Sequence, residues 1–272
     1  MEGFFMMERA PARAVVGALY LACIVLIAAC TPSNAPSAEA EGAKLPAEDQ
    51  VGKKPESLPQ KELKMPSTVN ARLNDQGEID VKISGIAVSI KAQGCSERSP
   101  GISLCNKSVI VEVTFPDGKP ITVEPEALYL DSNATLYHGP LDDSYKKNGH
   151  SIILTDINSD GHEDLVIWSG KEGNYGGSSY SVYLYDSARQ RLVFNQSLSD
   201  ITVMANGLFS VKGNMLTSSS GDGCCIHVFD TYEFKNDEAV LVERVTEDTN
   251  DPANPKEVTE RLQNGEMKEV AN

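Results

Sequence analysis

Over most of the chain beyond residue 66, apolar and polar residues alternate with the two-residue period of a strand that has one buried face. Ile79, Val81 and Ile83 alternate; Gly85 intervenes, and Ile86, Val88 and Ile90 resume on the opposite phase, which predicts a turn or bulge at the glycine. Val109, Val111, Val113 and Phe115 form a further alternating run, and Pro116-Asp117-Gly118-Lys119 turns the chain toward Ile121 and Val123. From Tyr129 to Ser151 the pattern weakens, as in loop with short strands. Ser151-Ile152-Ile153-Leu154 and Leu165-Val166-Ile167-Trp168 are continuously apolar and read as buried strands rather than amphipathic helices.

Later runs punctuate themselves with turn dipeptides. Tyr180–Tyr185 leads through a polar turn to Leu192-Val193-Phe194, and Asn206-Gly207 and Gly213-Asn214 bracket another pair. His227–Phe234, Asn236-Asp237 and Ala239–Val242 make a hairpin signature, repeated by Val258–Leu262, Asn264-Gly265 and Glu266–Val270. Thr246–Pro255 is polar and expected to be mobile. No long segment carries a helical period. The pattern predicts an all-β antiparallel meander of hairpins, propeller-like, with a β-sandwich as the alternative and no repeat strong enough to count blades.

The N-terminal part follows other rules. Arg9 and Arg13 precede an apolar run from Ala14 to Ala29, short for a membrane span of about 20 residues. Ile27-Ala28-Ala29-Cys30 resembles the lipobox of bacterial lipoproteins, which implies cleavage before Cys30, lipidation of its thiol and, with Thr31 following, an outer-membrane destination. Residues 31–66, rich in Pro, Ala, Glu and Lys, are too poor in apolar residues to offset the entropy of ordering and read as a tether. The expected organisation is a signal peptide (1–29), a lipidated cysteine and disordered linker (30–66), and a single domain (67–272).

The 272 residues carry a formal net charge of −15. Removing residues 1–29 removes Glu2, Glu8, Arg9 and Arg13, so the charge is unchanged. Such acidity disfavours nucleic acid and anionic lipid, and draws cationic partners. After residue 29 the chain has, besides Cys30, Cys95, Cys105, Cys224 and Cys225, for which export predicts disulfides. Cys95 with Cys105 would close a Gly/Pro/Ser loop, and Cys224 with Cys225 would be vicinal; cross-pairing is the alternative, and sequence does not choose among the three connectivities. A metal site on Cys224, Cys225 and His227 lacks a second ligand cluster with zinc spacing.

The densest candidate chemistry lies between the two buried strands. Asp156, Asn158, Asp160 and Asp164 fall at relative positions 1, 3, 5 and 9, with Gly161 at position 6. That is the layout of a calcium loop: a hard cation takes six to eight oxygens, and the glycine permits the bend that turns alternate residues inward. His162 at position 7 would give its backbone carbonyl. Position 12, a bidentate Glu in an EF-hand, is Ile167, so Asp164 would close the site. The competing expectation is a polar turn whose side chains bond the local backbone. Because the loop joins two strands, a structural ion is the expectation.

Signals for catalysis are poor. His138, His150, His162 and His227 are scattered, no His-Glu-x-x-His, Gly-x-Ser-x-Gly or Walker pattern occurs, and acid pairs such as Asp142-Asp143 arise by chance in an acidic chain. The expectation is no enzyme. One stretch has the composition of a binding loop: Gly173, Asn174, Tyr175, Gly176, Gly177, Ser178, Ser179 and Tyr180 combine a slim backbone with rigid amphipathic rings. The alternative is a long hairpin loop whose tyrosines pack on the sheet.

The succession of D-x-N-x-D-G-x-x-D loop, strand, Gly-Asn-Tyr-Gly loop, Tyr-rich strands and late hairpins, from Asp156 to about Val242, resembles a family of calcium-binding exported bacterial proteins. That family includes an immunity protein of Xanthomonas acting against a lysozyme-like effector of a type IV secretion system. Gly177-Ser178-Ser179-Tyr180 also resembles the Ser-Gly-x-x-Tyr motif of periplasmic lysozyme inhibitors, with Gly176 where that motif has Ser. The resemblance implies a propeller-like fold and inhibition of a peptidoglycan hydrolase from the periplasmic side; the acidic charge of the chain makes a basic hydrolase the expected protein partner. The alternatives are a structural or adaptor envelope lipoprotein and an enzyme acting on glycans through two carboxylates.

Overall fold

The computed structural model describes residues 65–271, except 117, 132–134, 143–144 and 146–149. The expected signal peptide, Cys30, the linker as far as residue 64, and Asp143 lie outside the described residues.

The fold is all-β, with strands β1 (Ser67–Asn70), β2 (Glu78–Ile83), β3 (Ile86–Ser99), β4 (Ile102–Thr114), β5 (Ile121–Val123), β6 (Leu128–Asp131), β7 (Thr135–His138), β8 (Ile152–Thr155), β9 (Asp164–Gly173), β10 (Gly177–Asp186) and β11 (Arg191–Phe194). Helix α1 (Gln196–Met204) is followed by β12 (Ser210–Lys212), β13 (Met215–Asp222), β14 (Ile226–Lys235), β15 (Glu238–Asp248), β16 (Lys256–Gln263) and β17 (Glu266–Val270).

Three sheets form. A central one runs β1-β7-β8-β9-β10-β11, a second β2-β3-β4-β5 with β6 beside the other half of β4, and a third β12 to β17 in chain order. Pairing is antiparallel except between β7 and β8. None of the sheets is closed, which is consistent with a sandwich; the ring of blades of a propeller is not seen. The turn dipeptides act as expected: Asn264 and Gly265, both at positive φ (54° and 84°), make the two-residue link between β16 and β17 that suits the strand twist.

The central sheet is covered on both faces, and the two-residue side-chain period sorts its residues. Ile152 and Leu154 of β8, Leu165 and Ile167 of β9, and Tyr183 of β10 join one core with Ile79, Val88, Ile90, Val111 and Val113 of the second sheet. The intervening Ile153, Val166, Trp168, Tyr180, Val182 and Leu184 join another with Leu198 and Ile201 of α1 and Leu216, Tyr232 and Phe234 of the third sheet. This is why the β8 and β9 sequences are continuously apolar rather than alternating.

The structure departs from the sequence expectations at three places. Cys95 and Cys105 do not close an irregular loop: they are bonded directly across the long β3–β4 ladder, whose turn is Pro100-Gly101. Thr246–Pro255 begins as strand, since β15 runs to Asp248, and the Thr249 amide then donates to the Cys225 carbonyl at 2.8 Å. The third departure is α1, capped by Asn195, whose Oδ1 accepts the Leu198 amide at 2.9 Å. Its inward face is half hydroxyl, for a reason in the neighbouring strand: Ser199 and Thr202 accept the Val182 and Tyr180 amides of β10 at 3.0 and 2.8 Å. The helix thereby covers a stretch of β10 edge that β11 leaves unpaired. No helix among the described residues is long and apolar enough to cross a membrane.

Candidate functional site

The loop from Asp156 to Glu163 is held at its base by the Thr155–Asp164 strand pair. Its interior follows from short polar side chains bonding the amides two to five residues on. Asn158 Oδ1 accepts the Asp160 amide at 3.1 Å, Asp160 Oδ1 the His162 amide at 2.8 Å, and Asp156 Oδ2 the Gly161 amide at 3.1 Å. Gly161 stands at φ +94°, which a side chain rarely adopts, so the glycine at position 6 does what its placement implies. Asn158 Nδ2 donates to Asp160 Oδ2 at 3.0 Å, and Ser159 donates to the Gly213 carbonyl at 3.3 Å, tying the loop to the β12–β13 turn.

Asp164 is fully buried; its Oδ2 accepts the Ile157 amide and its Oδ1 the Tyr185 amide, each at 2.8 Å. Burial pushes its carboxyl up to about 7; the Tyr185 and Ile157 amides oppose that rise, and repulsion from Asp160 and Asp156 adds to it. The donor set is therefore oxygen only, with three mutually repelling carboxylates, the chemistry that suits a hard dication rather than zinc or copper. The carboxylates are turned to backbone amides, those of the loop and, for Asp164, also that of Tyr185 in β10, and among the described residues no three His, Cys, Asp or Glu side chains stand as a ready metal cage. Cys224 and Cys225 are bonded to each other, so they offer no thiolate to His227.

Strand β9 carries the chain from this loop to the predicted binding stretch. Gly173 to Tyr180 is the end of β9, a 3-10 turn over Asn174–Gly176, and the start of β10. Ser179 and Tyr180 are buried; the Tyr180 hydroxyl accepts a bond from Tyr145 at 3.3 Å, and burial raises its pKa. The part of the stretch open to a partner is thus narrower than its composition implies, and Tyr180 belongs with the core tyrosines. Tyr175 is the opposite: 67% exposed at the tip, with φ +55° and ψ 29°. A non-glycine residue there costs about 1–2 kcal/mol, so surrounding bonds must hold it. They come from the next hairpin: the Gly223 amide donates to the Tyr175 hydroxyl, and Asn174 Nδ2 donates to the Gly221 carbonyl. The Asn174 amide donates to the Ala205 carbonyl at 3.1 Å. The Gly221–Cys225 turn as a support for Tyr175 has no local signal in sequence, since the two hydrogen-bonded pairs lie 47 and 48 residues apart.

A cavity of about 1020 Å³ adjoins the acidic loop, with Gly161, His162 and Glu163 on its wall beside Phe115, Tyr185 and Arg189. Glu163 is the one carboxylate among its described lining residues, its Oε1 lying 3.2 Å from Nε2 of buried His138.

No protein-family model and no curated protein matches the chain. Among solved structures it is similar to one described as a Xanthomonas type IV secretion system related protein, at 79% identity and a TM-score of 0.75, covering 77% of this chain and 100% of that one. With Tyr175 and the acidic loop set in a chain so close in sequence to that protein, the molecule belongs to the same family as this Xanthomonas type IV secretion system related protein.

Proposed function

We propose that the protein is an envelope binding protein that inhibits a peptidoglycan hydrolase, with the tip Asn174–Gly176 entering the enzyme's cleft. The observation that carries this reading is Tyr175: a large ring, two-thirds exposed, in a backbone conformation that only its hydrogen-bonded surroundings sustain. A rigid, projecting aromatic side chain loses little entropy on binding and makes an efficient anchor in a pocket. Kinship with a type IV secretion system related protein supports an envelope setting; the immunity role against a lysozyme-like effector rests on the resemblance carried by the Asp156–Asp164 loop and the Gly-Asn-Tyr-Gly stretch. The net charge of −15 supports a basic protein partner and disfavours nucleic acid.

In the same proposal Cys30 carries the lipid anchor, and the domain faces the periplasm from the outer membrane. Asp156, Asn158, Asp160, the His162 carbonyl and Asp164 would hold a calcium ion. When bound, the ion neutralises the repulsion among the three carboxylates and fastens β8 to β9, the strand that leads to Tyr175.

A turbidity assay tests the reading. The purified protein is mixed with lysozyme-family enzymes, and with any hydrolase that a neighbouring gene encodes, on a peptidoglycan suspension. Inhibition at near-stoichiometric ratio, lost in Tyr175→Ala, is expected. No inhibition of any of these enzymes at protein excess would sink the proposal and favour an adaptor role.

A further inference from the structure

Cys224 and Cys225 are bonded to each other at the turn between β13 and β14. A disulfide stabilises a fold chiefly by closing a loop in the unfolded chain, and the effect grows with loop length. The Cys95–Cys105 bond spans ten residues of sequence; the Cys224–Cys225 bond spans one and restricts almost nothing beyond its own turn. Its consequence is therefore local. The residue immediately before it, Gly223, donates its amide to the Tyr175 hydroxyl, and Gly221 accepts from Asn174. The ring of the vicinal disulfide closes over the Cys224–Cys225 peptide, which directly follows Gly223 in the same turn. Around the pair lie exposed Asp222 and half-buried Glu247 and Asp248, the last two opposite His227 and Ile226 on β14. Exposed Tyr175 and exposed Asp222 flank the two hairpin ends, and on a chain of net charge −15 such a surface fits a cationic protein cleft.

We propose that the partner-binding surface consists of two hairpins, in which the disulfide-closed turn Gly221–Cys225 is the base that positions Tyr175, and that reducing the Cys224–Cys225 bond weakens hold on the partner. The proposal rests on the inhibitor reading above for the identity of that partner. The step is a thiol–disulfide exchange with an envelope dithiol. One thiolate attacks the Cys224 sulfur, so that the S–S bond breaks, Cys225 leaves as a thiolate and a mixed disulfide with Cys224 forms; the second thiolate of the dithiol then attacks its partner sulfur in that mixed disulfide and releases Cys224. Two electrons and two protons pass to Cys224 and Cys225, and the dithiol leaves as its disulfide. Cys224 is exposed, so a dithiol reaches it.

Two readouts test this on the whole protein. The first needs no partner: amide hydrogen exchange at Gly223, in wild type, in Cys224→Ser/Cys225→Ser, and in wild type treated with dithiothreitol. Gly223 should exchange at least about tenfold faster in the last two, while Cys95→Ser/Cys105→Ser leaves it unchanged. Tyr175→Phe, which removes only the hydroxyl, should speed Gly223 exchange with the disulfide intact. The second readout is inhibition of the hydrolase, expected to weaken about tenfold in Cys224→Ser/Cys225→Ser with the melting curve little altered. Unchanged Gly223 exchange after loss of the bond would overturn the positioning claim. Faster exchange with undiminished inhibition would overturn the claim that the turn matters to binding. If oxidised wild type inhibits nothing, the inhibitor reading fails, and Gly223 exchange still decides whether the disulfide positions Tyr175.

Discussion

Asp164 accepts the backbone amide of Tyr185 at 2.8 Å, and through its other oxygen the amide of Ile157 at the same distance, so one buried carboxylate joins β9, the neighbouring β10 and the start of the acidic loop. Leaving a buried amide without an acceptor costs about 1–3 kcal/mol. Asp164→Ala strands both and should lower unfolding free energy by about 2–4 kcal/mol. Asp164→Asn keeps one carbonyl and should cost about half as much. Urea unfolding of the three proteins checks this; an alanine variant within about 0.5 kcal/mol of wild type would mean that Asp164 is not the fastening described.

Calcium acts on the same fastening. An ion bound only by the folded state stabilises by about 2.7 kcal/mol at a free concentration a hundredfold above its Kd, or about 5–10 °C in Tm for a domain of this size. Adding a chelator should lower Tm by that order, and Asp156→Ala/Asp160→Ala should remove the difference. Coincident melting curves of wild type with calcium and with chelator would count against the ion.

Much of the fold is legible in the residues themselves. Strands show through alternation, and the hairpins through Asn-Gly and Asn-Asp pairs whose backbones are committed to positive φ. The acidic loop shows because side-chain spacing and a glycine are both local. What sequence hides is set by distant partners. Tyr175 and Tyr180 are five positions apart and chemically alike, yet one is 67% and the other 5% exposed, because Tyr180 meets Thr202 and Tyr145 whereas Tyr175 meets the Gly223 turn. Helix α1 is hidden for a related reason: its buried face uses Ser199 and Thr202 to satisfy the edge of β10, so it lacks the apolar stripe that reveals an amphipathic helix.

Asn195 offers a test of that helix. Its Oδ1 caps the Leu198 amide, and its Nδ2 donates to the Asp237 carbonyl at 2.7 Å, tying α1 to the β14–β15 turn. Loss of a cap costs about 1 kcal/mol, and loss of the second bond about another. Asn195→Ala should therefore destabilise by about 2 kcal/mol, and Asn195→Asp, which keeps the cap and loses the donor, by about half. Thermal unfolding distinguishes them; equal losses would mean that the cap contributes nothing, and an Asn195→Asp variant as stable as wild type would mean that the bond to Asp237 contributes nothing.

His150 sets an acid limit on the fold. It is 3% exposed, between the rings of Tyr137 and Tyr145 at centroid distances of 5.0 and 5.2 Å, and burial lowers its pKa from 6.5 to about 4. Above pH 6.5 both folded and unfolded chains hold it neutral, and its contribution is complete. Between pH 6.5 and about 4 the unfolded chain takes up a proton that the folded chain refuses, so stability falls with falling pH. The loss has a ceiling of about 3 kcal/mol, because each pH unit separating the folded and unfolded pKa values is worth about 1.36 kcal/mol. His150→Phe keeps a ring of similar size between the tyrosines and removes the titration. The difference in unfolding free energy between wild type and variant, measured from about pH 7.5 to about pH 4, should therefore move in favour of the variant by about 2–3 kcal/mol. Carboxylates shared by both proteins cancel in that difference, so a pH-independent gap would show that His150 is protonated as readily in the fold as out of it.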